Sequence, residues 1–432
     1  MKLMEKILSQ ENLEIAIKKV KQNKGAPGVD RMTVHEIEYW FEQYQDELIS
    51  KIMNKQYRPM PIKRVYIPKP NGKQRPLGIP TVVDRVIQQA MAQVLSTIYE
   101  PIFSEHSFGF RPGRSAHMAM EEVLHYLNEG YEWIVDLDIE KFFDTVNHDK
   151  LISILREHVN DATTLHLIRA YLRAGVLDEG LIKSTTVGVP QGGPSSVVLS
   201  NIYLDKFDKE LESRNLRFVR YANDCIIFVK SEMSANRVMK SVTSWLERKL
   251  FLRVSASKTK VVRPMKGQFL GFSFYRNSQG WKCRPTEDRK KRLYSKIQKY
   301  LKRKQAVSRP LSITFAKVNQ IVRGWINYFR IGSIKAFLDK FGQWLRHKIR
   351  CIIIKQWKKP KTIYRNLMAL NIKYGCRFKQ EDIFKCANTR LGWYRRSGLE
   401  VVNFILTPTV LGKGKGDRPG LIHPLNYYLK SL

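Results

Sequence analysis

Residues 218–229 read Phe218-Val-Arg-Tyr-Ala-Asn-Asp-Cys-Ile-Ile-Phe-Val229, two apolar strand segments joined by a short polar tip that carries Asn223 and Asp224. Strand-forming residues on both sides of so short a tip predict a β-hairpin. A second run, Ile134-Val-Asp-Leu-Asp-Ile-Glu-Lys-Phe-Phe-Asp144, also delivers carboxylates from the end of an apolar strand. Asp136 and Asp138 share strand parity, so both can face one side. Two such strand ends, brought together, form a site for Mg²⁺, which favours oxygen ligands and phosphate-bearing substrates. Either Asp alone would be read as a polar strand end; the pair, within the ordered motifs below, favours a metal site.

Composition narrows the partner. The 432 residues carry 76 Lys+Arg against 39 Asp+Glu, a formal net charge of +37, with 43% hydrophobic residues. A chain of this length is expected to form about two or three domains with real cores. The basic residues alternate with Trp, Tyr, Ile and Leu, which argues against a disordered polar tract. A strong positive field interleaved with aromatics points to nucleic acid. No stretch reaches the apolar length of a membrane span. The start, Met1-Lys-Leu-Met-Glu-Lys-Ile-Leu8, begins an amphipathic helix and lacks a signal peptide's apolar core. Cys225, Cys283, Cys351, Cys376 and Cys386 form no C-x-x-C pair, so reduced thiols are expected rather than a zinc site or disulfide framework.

The first fifty or so residues predict helices around a Gly-rich turn, Lys24-Gly-Ala-Pro-Gly-Val-Asp30. Residues Arg64 to Ile79 predict a hairpin turning at Asn71-Gly72. Val83 to Tyr99 has a helical apolar period, and Trp133 to Tyr275 alternates strands and helices. Arg289 to Lys304 places Leu293, Ile297, Tyr300 and Leu301 on one helical stripe with basic residues elsewhere. Helices follow over 318–329 and 334–357, then a linker, Lys358-Lys-Pro-Lys361. Gly412 to Gly420 is too Gly-rich to pack and predicts a loop.

In order, the chain presents Lys69 and Arg75 on the hairpin, Phe108-Gly-Phe-Arg-Pro-Gly-Arg114, the Asp138 strand, Val189-Pro-Gln-Gly-Gly193, Tyr221-Ala-Asn-Asp224, Lys258 and Phe269-Leu-Gly-Phe272. This order resembles that of reverse transcriptases. Asn319-Gln-Ile-Val-Arg-Gly-Trp-Ile-Asn-Tyr-Phe329 is similar to the thumb, or maturase, signature of bacterial group II intron-encoded proteins. The resemblance extends from the N-terminal helices to about Trp357, and more loosely beyond. It implies an α+β right-hand polymerase: fingers and palm with an antiparallel sheet, a helical thumb and a small C-terminal domain. The expected division is 1–55 as an N-terminal helical extension, 56–280 as fingers and palm, 281–360 as thumb and 361–432 as a basic segment, suited to DNA on charge and position alone. No Cys/His-rich endonuclease is expected there.

The resemblance implies roles residue by residue. Asp138, Asp224, the position of Asn223 and the Ile139 carbonyl surround the metal ions. Asp136 is left as structural. Lys69 and Arg75 clamp triphosphate oxygens, Arg by its planar fork and Lys as a point charge. Phe143 sits beneath the incoming sugar, Gln191 approaches the nucleotide, and Lys258 donates to the departing pyrophosphate. Arg111, Arg114, Gly192, Gly193, Lys290, Lys291, Arg292, Arg323 and Trp325 face nucleic acid. Implied partners are structured intron RNA, an RNA template with a DNA primer, dNTPs and target DNA, in a bacterial cytoplasm.

Two departures stand out. Asn223 replaces the family's Asp, removing one anionic ligand. Pro194-Ser-Ser-Val-Val-Leu199 stands where the family reads Pro-Leu-Ser-Pro-Leu-Leu. The expected function is an RNA-directed DNA polymerase and maturase with its polymerase reduced or lost through Asn223. A non-catalytic RNA-binding splicing cofactor and an intron-independent, defence-type reverse transcriptase remain as alternatives.

Overall fold

The apolar runs that carry Asp138 and Asp224 form neighbouring antiparallel strands. A computed structural model describes residues 2–68, 72, 74–414, 416 and 418–431. Among these, eleven strands occur: β1 (Ile62–Pro68), β2 (Gln74–Ile79), β3 (Trp133–Asp138), β4 (Val176–Asp178), β5 (Leu181–Lys183), β6 (Arg217–Tyr221), β7 (Asp224–Val229), β8 (Lys260–Val262), β9 (Gln268–Phe269), β10 (Phe272–Asn277) and β11 (Gly280–Pro285). They build three sheets, ordered β2-β1-β4-β5, β6-β7-β3-β8 and β11-β10-β9.

The middle sheet is antiparallel throughout, with β3 running from Trp133↔Val229 to Asp138↔Asp224 against β7. Its apolar face is closed by helices. Ser231 starts the helix Glu232–Lys249 by accepting from the Ser234 N–H. Gly193 precedes Pro194 at the first position of the helix Pro194–Ser213, where a missing N–H costs nothing. The helix Val82–Tyr99 is buried on most of its faces, Asp84, Arg85 and Gln88 included, because other helices pack on it, among them Gln10–Gln22 and Pro194–Ser213. Thr81 caps it through the Asp84 N–H.

The expected hairpin is present as β1 and β2, paired from Lys63↔Ile79 to Pro68↔Gln74. Asn71 of its expected turn lies outside the described residues; Gly72 has a φ of +79°. The Gly-rich turn before it packs tightly: a Cβ on Gly28 would meet the Thr81 backbone at 2.7 Å.

The chain divides into two compact units, Met1–Gly267 and Gln268–Leu432, which differ from the four expected segments. One core unites Met4, Leu13 and Phe41 with Val86, Val135 and Ile227, so the helices of residues 1–55 pack within the first unit. Phe269-Leu-Gly-Phe272 and the β9–β11 sheet belong to the second unit rather than with the palm strands.

In the second unit the helices Glu287–Tyr300, Leu311–Phe329, Lys335–Trp357 and Pro360–Lys373 follow in turn. Leu293, Ile297 and Leu301 are buried as the helical stripe requires, whereas Tyr300, in the last turn, is exposed. The expected linker is a sharp break: Lys358 has a φ of 63° and Pro360 opens the next helix. Of the expected unpacked loop Gly412 to Gly420, residues 415 and 417 lie outside the described residues, but its two ends pack closely. A Cβ on Gly420 would lie 2.0 Å from the Gly412 carbonyl oxygen, and the Leu421 N–H donates to the Leu411 carbonyl at 2.8 Å. Glycine there permits two backbones to touch. Among the described residues no helix is long and apolar enough to cross a membrane.

Candidate active site

At the open end of the middle sheet, β6 turns into β7 through Ala222 and Asn223, with Tyr221 opposite Asp224. Asp224 in turn lies opposite Asp138. Directly opposed residues on antiparallel strands lie about 4.5–5.5 Å apart at Cα, so the two carboxylates share one level of the sheet. Asp224 is exposed along one side; the water its carboxyl has lost, and then the charge of Asp138, raise its pKa against the pull of Lys258. Asp136 is pushed up to about 6, first by burial, with Asp224 and Asp138 adding repulsion and Lys260 opposing from 3.7 Å. The structure therefore draws Asp136 into the electrostatics of the pair.

Lys258 is brought to the site. Its Nζ donates to both Asp138 carboxylate oxygens, at 2.9 and 3.1 Å. The segment around it fixes Asp138 from the backbone: the Asp138 N–H donates to Thr259 Oγ1 and the Ser255 N–H to the Asp138 carbonyl. Ile139 bridges Val254, but that bridge is made by the Ser255 and Glu140 N–H groups, leaving the Ile139 carbonyl out of it.

Among the described residues no group of three or more His, Cys, Asp or Glu side chains converges as a metal cage. The strand register sets the carboxylates of Asp138 and Asp224 at one level, with Ile139 and Asn223 their neighbours in sequence. Oxygen donors of this kind fit a hard divalent cation, with less charge than two closely spaced ions require.

A second cluster lies between β1, β2 and the Gln191 turn. Arg75 Nε donates to Gln191 Oε1 at 3.3 Å, and the Gly78 N–H donates to the Gln191 carbonyl at 2.7 Å. Phe143, half-buried, and Gln191 line one cavity of about 350 Å³ with Arg64, Tyr66 and Asp178. Lys69 lies outside the described residues.

The structure places several residues expected to face nucleic acid against other parts of the protein. Arg111 is 6% exposed; its guanidinium donates to the Ser104 and Ser107 carbonyls and pairs with Glu100, so it holds its own loop. Arg114 is bound to Glu105 and lies over the Phe108 ring. Gly192 has a φ of +128°, and a Cβ on it would lie 2.2 Å from the Gly78 carbonyl oxygen. A Cβ on Gly193 would meet Gln88 Oε1 at 2.3 Å. The close approach these glycines permit is to protein backbone and side chain.

In the second unit, Lys290 pairs with Glu287 and Arg292 with Asp288, while Lys291 is exposed and makes neither pair. Arg323 is exposed and lies 5.9 Å from the Tyr427 ring. Trp325 takes a packing role: the ring lies against Phe329 and Phe337, and its Nε1 is buried with no hydrogen-bond partner. Half-buried, it joins an aromatic cluster with Phe329 and Phe337.

The sequence reading missed Arg220 and its partners. Arg220 and Asp208 are both fully buried and form an ion pair beneath the tip. The available signal was a cation inside an otherwise apolar strand, where an unpaired charge is not tolerated.

A four-stranded antiparallel sheet with paired carboxylates at one end, in a strongly basic chain, is the palm of a nucleotidyl-transferring polymerase. Residues 67–274 match the family Reverse transcriptase (RNA-dependent DNA polymerase), and residues 290–370 match Group II intron, maturase-specific domain. The chain is 33% identical over 316 residues to Protein YkfC of Escherichia coli (strain K12), covering 64% of this chain and 83% of that protein. It is 39% identical over 180 residues to the Group II intron-encoded protein LtrA of Lactococcus lactis subsp. cremoris, covering 41% of this chain and 30% of LtrA. It is 32% identical over 254 residues to the Putative COX1/OXI3 intron 2 protein of Saccharomyces cerevisiae, covering 58% of this chain and 28% of that protein. The chain belongs to the group II intron-type reverse transcriptase and maturase family. Reverse transcriptases generally use divalent metal ions.

Proposed function

We propose that this protein binds structured intron RNA, assists its splicing and copies RNA into DNA at the Asp138–Asp224 site, with DNA synthesis limited by Asn223. The observation that carries this reading is the register Asp138↔Asp224, which sets two carboxylates side by side at the end of the palm sheet. Mg²⁺ is the cation this donor set suits; when bound it supplies charge neutralisation for phosphoryl transfer. The chain's own residues do the rest. Asp138 and Asp224 supply anionic oxygens, and Lys258 neutralises Asp138 until a cation takes its place. Arg75, tied to Gln191, offers its remaining guanidinium donors to a dNTP triphosphate. Phe143, half-buried beside that turn, crowds the sugar of an incoming nucleotide. The exposed cations of the helix Glu287–Tyr300 and of Arg323 suit the phosphates of a primer–template or intron RNA, and the basic C-terminal residues suit target DNA.

A single comparison tests the reading. Primer extension with Mg²⁺ on an RNA template, and affinity for that RNA, are measured for wild type and Asn223→Asp. Asn223→Asp is expected to raise extension by at least about tenfold, since even supporting residues around metals are worth about 10–100-fold, with RNA affinity unchanged. Equal extension by both proteins removes Asn223 as the limiting residue. Extension by neither leaves the RNA-binding splicing cofactor.

A further inference from the structure

We propose that Arg220 is a positioning residue for the catalytic hairpin, setting the placement of Asn223 and Asp224 by gripping the carbonyl of Ala222. The inference rests on the reading of Asp224 as a catalytic carboxylate, and it adds the device that holds that carboxylate in place.

Arg220 is fully buried in β6, as is Asp208 on the helix Pro194–Ser213. A buried ion pair is seldom a net source of stability, because an apolar pair of equal volume usually does as well. What an apolar pair cannot do is donate. Arg220 Nε and Nη2 bind the two Asp208 oxygens, which leaves Nη1 free to donate to the Ala222 carbonyl at 2.8 Å and to Asn201 Oδ1 at 3.0 Å. Nearly the whole fork of the guanidinium is used, in one plane, as only arginine permits.

The grip is applied where the backbone needs it. Ala222 has a φ of 57°, a left-handed conformation that a residue with a Cβ adopts only when its surroundings impose it. From the other side the tip is pressed by Gly109, on which a Cβ would lie 2.2 Å from the Ala222 nitrogen. Asn201 joins the two contacts, donating through Nδ2 to the Gly109 carbonyl at 2.9 Å while accepting from Arg220. The backbone of Arg220 completes the frame: its N–H donates to the His106 carbonyl and its carbonyl accepts from the Phe108 N–H, each at 2.9 Å. Ala222 is thus enclosed by a closed ring of Arg220, Asn201 and Gly109, one residue before Asn223 and two before Asp224. Sites that bind metal or transfer phosphoryl groups need their ligands held within about 0.5 Å, by partners that are themselves locked.

The test uses the full chain, two variants of the frame around Ala222 and Asp224→Asn as a marker. Arg220→Lys keeps a cation for Asp208 but lacks the fork that reaches Ala222 and Asn201. Asn201→Ala keeps the ion pair and cuts the link to Gly109. Hydrogen exchange is followed across the palm by mass spectrometry, and Mn²⁺ binding by the loss of free-ion electron paramagnetic resonance signal, with Asp224→Asn marking the ions held at this site.

We expect exchange in 220–225 to accelerate at least about tenfold in Arg220→Lys and less in Asn201→Ala, with β3 and the outer half of β7 unchanged. Mn²⁺ affinity at the Asp224-dependent site falls several-fold in the same order. Unchanged exchange at the tip in both variants overturns the proposal. So does acceleration spread evenly over all palm strands, which marks a general packing role. Should Arg220→Lys fail to fold, Asn201→Ala decides alone. Absence of Asp224-dependent Mn²⁺ binding in the wild type refutes the metal-centre reading, and the exchange pattern still decides the role of Arg220.

Discussion

The tip of the palm sheet and the helix Glu287–Tyr300 use charge in opposite ways. At the tip, Lys258 faces Asp138, Lys260 faces Asp136, and Arg220 is locked to Asp208. The helix carries Arg289, Lys290, Lys291, Arg292, Lys296 and Lys299 against Glu287 and Asp288, so most of its cations have no carboxylate on their own helix. Charges satisfied inside the chain fix geometry. Charges left exposed are available to a polyanion. The first region is built to hold a few atoms in place, the second to attract a backbone wherever its phosphates fall.

The largest expected effect separates the two. In an Asn223→Asp background, Asp224→Asn should lower primer extension more than about 100-fold, beyond the loss typical of residues that only support a metal ligand. RNA affinity should stay within about twofold, because Asp224 contributes nothing to the exposed cations. A fall in RNA affinity equal to the fall in extension breaks the comparison.

Next comes the geometry of the tip. Gly109→Ala places a methyl against the Ala222 nitrogen at 2.2 Å and the Tyr221 carbonyl carbon at 2.8 Å, both backbone atoms that cannot swing aside. Overpacking of this kind costs about 1–3 kcal/mol, and the upper end is expected here. Denaturant unfolding measures it; a loss below about 0.5 kcal/mol shows that the tip is looser than its contacts suggest.

A smaller effect comes from Asp205, beneath the same tip. Burial, and then the charge of Asp208, push its pKa up to about 6. Its folded pKa exceeds the usual 3.8, so between about pH 4 and pH 6 the folded state keeps a proton that the unfolded state has released. That contribution is present at low pH and lost as pH rises through the window. Relative to Asp205→Asn, the wild type should lose about 2 kcal/mol of stability between pH 4 and pH 7. A pH-independent difference means that Asp205 titrates normally.

Much of this division was legible in the sequence. The hairpin, its partner strand and the thumb helices follow from apolar period and turn residues, which are local. The opposition of Asp138 to Asp224 followed only from resemblance, because strand pairing between residues far apart in sequence leaves no local trace. The nucleic-acid roles expected of Arg111, Gly192, Gly193 and Trp325 carry the same sequence signature as structural ones, for one reason. A motif shows that a side chain, or its absence, is required, but not whether nucleic acid or the protein requires it. Gly192 is needed by the Gly78 carbonyl, and Trp325 by Phe329 and Phe337. Arg220 escaped notice because burial of a cation depends on Asp208, twelve residues away on a helix whose packing no periodicity specifies.

The smallest expected effect tests whether the helix Glu287–Tyr300 works through unpaired charge rather than through charge as such. Lys290 and Lys291 are adjacent and identical, yet Lys290 is half-buried, held by Glu287 at 2.7 Å and near the Phe337 ring, whereas Lys291 is exposed. Neutralising a lysine that meets a phosphate should reduce the slope of log affinity against log salt by about 0.7–0.9. Lys291→Ala should therefore flatten the slope by nearly one unit and weaken RNA binding a few-fold at moderate salt. Lys290→Ala should change the slope by much less, because its cation already has a carboxylate and removing it frees Glu287 to repel the same RNA only from the exposed rim. Equal slopes for both variants would mean that RNA senses the summed field of the helix and not the individual unpaired cations. A wild-type slope of about −1 or shallower would mean that few phosphates are neutralised at all, and the extended basic surface would lose its assigned role.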